Sequence, residues 1–276
     1  MVFSHLNHLP LIVTGYHRLK PGPYIRGEKN KRKYKAFFIF QKSFFGELGD
    51  KFRVNSYKRK YGIIKEPSLS SFEEERDKVY YFTRLSHYSD YFNELKVHRE
   101  LAINLLKQAI SPVIFTELQS CNVPEIAVHI RMGDFRKLKP DEDFNKVGSV
   151  RTPLGYFIEM IRTIRLVSGR CIPVQVFTDG HPSELNELFE LPETSLVKGN
   201  TDMTDLLVMS KSKVIITSAG STFSYWAGFL SEAVLIMHHA HIYASIRPPE
   251  INKRIYEGAM VPGGMDQLLL NNLQDL

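Results

Sequence analysis

"IAVHIRMGDF", residues 126–135, runs five positions without a formal charge and then delivers an arginine, a glycine and an aspartate within four. A continuous apolar run of that length, rich in β-branched residues, predicts a strand buried on both faces. The charge after it predicts a strand end that opens onto polar surroundings. The same alternation continues downstream: a helical pattern over Leu154 to Val167, "VQVFT" at 174–178, Pro182 to Phe189, Met203 to Ser210, "KVIIT" at 213–217, Ser221 to Leu230 and "AVLIM" at 233–237. Strands that alternate with amphipathic helices predict a parallel sheet covered on both faces, so the C-terminal half reads as Rossmann-like. In such sheets ligands sit beyond the carboxyl ends of the strands. Three strand ends carry polar groups, His129 to Asp134, Thr178 with Asp179, and Thr217 to Ser224, and they are expected to meet at one crevice.

The chain has 276 residues, of which 43% are hydrophobic and 24% charged. Those are globular values, and the length suits two modest domains. We place the boundary at residue 120, with 1–120 and 121–276 as the two domains. The longest apolar runs fall far short of the roughly 20 residues of a membrane-spanning helix. Met1 to Val13 is interrupted by His5, Asn7 and His8 and makes a poor signal peptide. A cytoplasmic protein is the expectation. The net charge of +6 is concentrated between Arg18 and Lys60, above all in "RGEKNKRKYK". That run reads as a solvated loop, as a contact to anionic lipid, or as a binder of phosphorylated substrate. Nucleic acid is not expected, because no helix-turn-helix, zinc finger or aromatic-basic pattern is present. Cys121 and Cys171 make no disulfide framework, and no Cys/His set has metal-ligand spacing.

The N-terminal part is less regular. "AFFIF" at 36–40 reads as a buried strand, and Asn93 to Ile110 as a helix with Leu95, Leu101, Leu105, Leu106 and Ala109 on one face. Ser111-Pro112 breaks or restarts it.

Arg131 would bring a planar, permanently charged guanidinium to the rim of the sheet, a geometry that suits phosphate. Gly133 lets the backbone turn or approach a ligand, and Asp134 either orients Arg131 or caps the next segment. Arg131 and Asp134 could equally be a plain ion pair. Ser218, Ser221, Thr222 and Ser224 crowd the start of a helix, where unpaired N–H groups favour anions; ordinary capping would use the same residues. Asp205 falls in the first turn of a helix starting near Thr201 or Asp202, where it could reach a purine edge, with Asp202 as the expected cap. Neither a Walker lysine nor a G-x-G-x-x-G turn is present, which disfavours P-loop NTPases and nicotinamide dehydrogenases.

At these residues the chain resembles the fucosyltransferases that use GDP-fucose. "HIRMGDF" is similar to their H-x-R-R-x-D peptide, "VFTDG" to their Thr-Asp strand end, and "DLLVMSKSKVIITSAGSTFSYWAGFL" to their C-terminal block. The match covers about residues 80 to 240 and points to the alpha-1,2-fucosyltransferases of glycosyltransferase family 11. The resemblance implies an α/β, GT-B-like fold with two Rossmann-like domains, GDP-fucose as donor and no metal. It implies inverting transfer of L-fucose to a hydroxyl of a glycan acceptor, O2 of galactose being the expected position. Catalysis falls to Arg131, supported by His129 and Asp134. Donor binding falls to Asp179, Asp205, Ser218, Ser221, Thr222 and Phe223, with Asp205 reading the guanine. Two residues depart from the pattern: Met132 replaces a second arginine, and Gly180 follows Asp179 where a second acid is common. The family's glycine-rich N-terminal peptide is absent, and "FFGELGDKF" at 44–52 is only a superficial substitute, so the N-terminal domain is expected to be truncated or divergent. The alternatives are a glycosyltransferase for another nucleotide sugar and a nucleotide-sugar or glycan binder without turnover. The expected setting is the cytoplasmic side of a bacterial inner membrane, with weak peripheral contact through Arg26 to Lys35.

Overall fold

The computed structural model describes residues 1–14, 37–40, 42–69, 77–82, 91–242, 244–261 and 263–276. The basic stretch Arg26 to Lys35 lies outside them. The chain divides into two compact units, Met1–Thr116 and Glu117–Leu276.

The described part of the first unit holds the helices α1 (Val2–Leu6) and α2 (Phe44–Lys60), then strands β1 (Gly62–Lys65) and β2 (Lys78–Tyr81), then helices α3 (Asn93–Lys96) and α4 (Arg99–Ala109) and the start of α5 (Pro112–Gln119), which runs on into the second unit. β1 and β2 pair in parallel as a two-stranded sheet. The expected strand at "AFFIF" is not formed over its described residues 37–40. Phe38 makes one isolated antiparallel bridge to Ile110, and Ile39 is exposed, so no second face is buried there. The expected helix 93–110 is interrupted at Val97 and His98, because Val97 points into solvent and the apolar period resumes only from Arg99. The helix α5 restarts at Pro112, where a missing N–H costs nothing.

The second unit is a six-stranded sheet, all of whose pairings are parallel. Its strands are β3 (Ile126–Ile130), β4 (Val174–Thr178), β5 (Thr194–Leu196), β6 (Val214–Ile216), β7 (Val234–Ile236) and β8 (Glu257–Gly258), in the order β5-β4-β3-β6-β7-β8. Every residue of β3 is buried, His129 included. Helix α6 (Leu154–Ser168) follows β3, and the short helix α7 (Asn186–Phe189) follows β4. The helices α8 (Asp202–Met209) and α9 (Thr222–Leu230) flank β6 and touch one another. The chain closes with α10 (Pro249–Asn252) and α11 (Gln267–Gln274), the latter against α6. Val128, Ile130, Phe157, Ile161, Val174 and Val176 lie in the core between sheet and helices. β8 is anchored by charge: Arg247 is completely buried, its Nε stands 3.1 Å from Glu257 Oε2, and its Nη1 donates to the Ala233 carbonyl at 2.6 Å.

Candidate functional site

Numbered from β3, the strand order is 3-2-1-4-5-6, so chain direction across the sheet reverses between β3 and β6. Loops leaving the two strands there diverge to opposite faces and leave a crevice. The ladder between them pairs Ile126 with Val214 and Val128 with Ile216. Beyond Ile216 a side chain continues it. The Ser218 hydroxyl donates to the His129 carbonyl and accepts from the Arg131 N–H, both at 2.8 Å. On the other flank the Thr178 hydroxyl donates to the Ile130 carbonyl at 2.7 Å and accepts from the Gly180 N–H at 3.0 Å. The segment that presents Arg131 is thus braced from both neighbouring strands. Ser218 is fully buried and lies beneath this segment.

The Arg131 guanidinium carries two carboxylates. Its Nη1 stands 2.5 Å from Asp179 and its Nη2 2.7 Å from Asp134. The two partners differ in setting: the Asp179 side chain is 13% exposed and the Asp134 side chain 54%. Asp179 Oδ1 also accepts from the Met132 N–H at 2.8 Å and the Gly133 N–H at 3.0 Å. Burial pushes the Asp179 carboxyl up, but the Arg131 guanidinium and the amides of Gly133 and Met132 outweigh it and hold the group below the usual range. Asp179 is therefore an anion at neutral pH and aims Arg131. The Arg131 guanidinium carbon also lies 6.0 Å from the centre of the Phe135 ring.

Helix α9 begins at the same crevice. Ser221 occupies its cap position but its side chain makes no capping bond; the hydroxyl instead lies 3.5 Å from His129 Nδ1. Phe223 sets its ring 4.9 Å from the His129 ring, and Thr222 is exposed. The first intrahelical acceptor serves Tyr225, whose N–H reaches the Ser221 carbonyl. The amides of Thr222, Phe223 and Ser224 have no acceptor within the helix, and no acid occupies the first turn. The approach is held by Thr152, whose hydroxyl accepts from the Ala219 N–H at 2.9 Å, and by Gly220 at φ +68, whose N–H donates to the Tyr225 hydroxyl at 2.9 Å. A left-handed turn there suits glycine.

Asp205 sits on α8, beside α9, with 4% of its surface exposed. The cap of α8 is Thr201 rather than the expected Asp202. The Thr201 hydroxyl accepts from the Thr204 N–H, while Glu117 collects the Thr201 N–H at 2.6 Å and the hydroxyls of Thr201 and Thr204. Glu117 stands 84 residues earlier in the chain, and a pairing of that span leaves no local signal in sequence. Burial, then the negative charges of Glu117 and Asp205, push the Cys121 thiol up.

Arg131, His129, Asp134, Asp179, Ser218, Ser221 and Phe223 are thus joined by direct contacts. Thr222 follows Ser221 at the helix start, and Asp205 lies on the adjoining helix. Sequence reasoning placed Thr178 at the crevice but missed Thr152 and Tyr225, whose contacts depend on the folded loops. Among the described residues no group of three or more His, Cys, Asp and Glu could hold a metal ion, and no helix is long and apolar enough to cross a membrane.

Comparison with known proteins adds a family. The chain is similar in part to the crystal structure of POFUT1 in complex with GDP-fucose, at 17% identity and a TM-score of 0.32 over 56% of this chain and 48% of that one. It therefore spans about half the length of that structure. No curated protein matches. The model described as glycosyl transferase family 11 matches residues 47–245, which include α2 from Glu47 onward and every site residue named above. The chain belongs to glycosyl transferase family 11.

Proposed function

We propose that the chain transfers L-fucose, with inversion, from GDP-fucose to a hydroxyl of a glycan, O2 of galactose being the preferred position. The supporting observation is one guanidinium, Arg131, fixed from within by Asp179 at the sheet's switch point and bordered by the start of α9. The GDP-fucose assignment itself comes from the likeness of the three peptides to the fucosyltransferases of this family.

The outer partner of Arg131 decides whether a diphosphate has room. A half-exposed ion pair such as Arg131–Asp134 is worth about 0–1 kcal/mol. A charge-assisted hydrogen bond to phosphate contributes about 1.5–3 kcal/mol. A diphosphate therefore displaces Asp134, while Asp179 keeps its place. Arg131 then faces the β-phosphate, and the first-turn amides of α9 share the remaining charge. As the bond from the sugar carbon to the phosphate oxygen breaks, its electron pair stays on GDP, where Arg131 meets the growing charge. The acceptor oxygen closes on the opposite side of that carbon and releases its proton to water. Asp205 recognises the guanine edge, His129 and Phe223 line the sugar end, and Ser221 adds a hydroxyl. Acceptor reading is assigned to the first unit, and no metal is required.

The test is a transfer assay with GDP-fucose and a galactose-terminated oligosaccharide, run beside GDP-mannose and UDP-galactose. Fucosylated product and GDP from GDP-fucose alone are expected. Transfer from UDP-galactose instead, or no product from any donor over a panel of acceptors, contradicts the proposal.

A further inference from the structure

In water a surface helix turns its apolar side inward and its charges outward. Helix α2 does the reverse. Glu47 and Asp50 are 2% and 3% exposed, whereas Phe45 and Phe52 are 80% and 67% exposed and Leu48 stands out beside them. Residues 45, 48 and 52 follow a three-and-four spacing, so they form one outward stripe about two turns long. Phe44 extends its N-terminal end, with its ring edge-on to Phe45 at 5.7 Å.

The inverted arrangement sets the sign of the outward charge. Glu47 stands 2.8 Å from Lys51, and Asp50 stands 2.5 Å from Lys42 and 4.0 Å from Arg53. With both acids of the helix turned inward, its outward charges are cationic: Arg53, Arg59 and Lys60 are exposed. Arg59 lies seven residues beyond Phe52, at the end of the same stripe.

We infer that this face of α2 is a docking surface for an anionic lipid bilayer, with Phe45, Leu48 and Phe52 entering the boundary between headgroups and acyl chains and Arg53, Arg59 and Lys60 meeting lipid phosphates. An exposed stripe of Phe45, Leu48 and Phe52, with Arg53, Arg59 and Lys60 as the exposed charges of the same helix, has the form of an interfacial helix. The net charge of +6 favours the approach. The inference is independent of the donor and of the reaction.

Flotation of the whole chain with vesicles tests it, using phosphatidylcholine alone and phosphatidylcholine with about 30% phosphatidylglycerol. The chain is expected to float with the anionic vesicles and not with the neutral ones. Phe45→Ser with Phe52→Ser should lower partitioning about tenfold or more. Arg53→Glu with Arg59→Glu and Lys60→Glu should abolish the anionic preference, and the phenylalanine variant should leave the thermal midpoint unmoved. Four results overturn the inference: wild-type chain that stays with the soluble fraction; flotation equal in the phenylalanine variant; a wild-type dimer by light scattering that the same variant makes monomeric, which assigns the face to a second copy; or loss of folding in both variants, which assigns it to internal packing.

Discussion

The side chain of Met132 lies directly over Gly180: a methyl group on Gly180 would stand 2.3 Å from the methionine sulfur and 2.9 Å from its Cβ and Cγ. The two departures from the family's peptides are therefore one feature. Where a charged pair is common in the family, this chain buries a thioether over a glycine, next to the Asp179 that aims Arg131. Gly180→Ala is expected to destabilise by about 1–3 kcal/mol, since the sulfur can swing away but Cβ cannot. Adding Met132→Ala should recover part of that loss, with a coupling of about 0.5–3 kcal/mol in a double-mutant cycle read by urea denaturation. Additive losses would show that the two residues do not share the space.

Asp179 and Asp134 both touch Arg131, yet their substitutions should part. Asp179→Asn removes the inner charge and is expected to cost about 1–3 kcal/mol of stability and about tenfold or more in GDP affinity. Asp134→Asn should leave stability unchanged and GDP affinity equal or higher, because the diphosphate no longer competes with a carboxylate. Calorimetry on the two variants decides; weaker GDP binding in Asp134→Asn would make that residue a ligand support rather than a displaced partner.

The lowered Asp179 carboxyl sets an acid limit. Its folded value lies below its unfolded value of about 3.9, so its contribution is fully present above the unfolded value and fades as pH falls through the lower folded one. The contribution of Asp179 to stability should therefore hold down to weakly acidic pH and fall only below the usual carboxylate range. In Asp179→Asn the acid-side fall in stability should be shallower. An equally steep fall in that variant would assign acid sensitivity to other groups.

Three hydroxyls near helix starts should behave differently. Ser218→Ala removes a donor and an acceptor from a fully buried position and should cost about 1–3 kcal/mol. Thr201→Ala removes a true cap and should cost about 1 kcal/mol. Ser221→Ala should barely affect stability, since that hydroxyl caps nothing, but should weaken GDP-fucose binding. A full capping cost at Ser221 would remove it from the donor site. Thermal and urea unfolding measure all three.

The central strands were legible because β3, β4, β6 and β7 are short apolar runs bounded by polar loops, and burial on both faces leaves no other reading. β5 and β8 were not legible: they are three and two residues long, and Glu257-Gly258 is held by its pairing with β7 and by the buried Arg247, neither of which local sequence reveals. The strand ends of the site were legible as positions, but their division of labour was not. Ser218 and Ser221 look alike in sequence; one completes a sheet ladder and the other leaves its hydroxyl beside His129. Helix α2 was read only as a weak glycine motif, because Glu47 and Asp50 reveal their inward direction through partners that spacing does not specify.

The central claim is that Arg131 holds the diphosphate, and GDP titration into wild-type chain and Arg131→Ala by calorimetry measures it most directly. The account predicts binding to wild type and at least about a tenfold loss in the variant, equivalent to about 1.4 kcal/mol, with an unchanged unfolding curve. GDP binding of equal strength in the two proteins would contradict it.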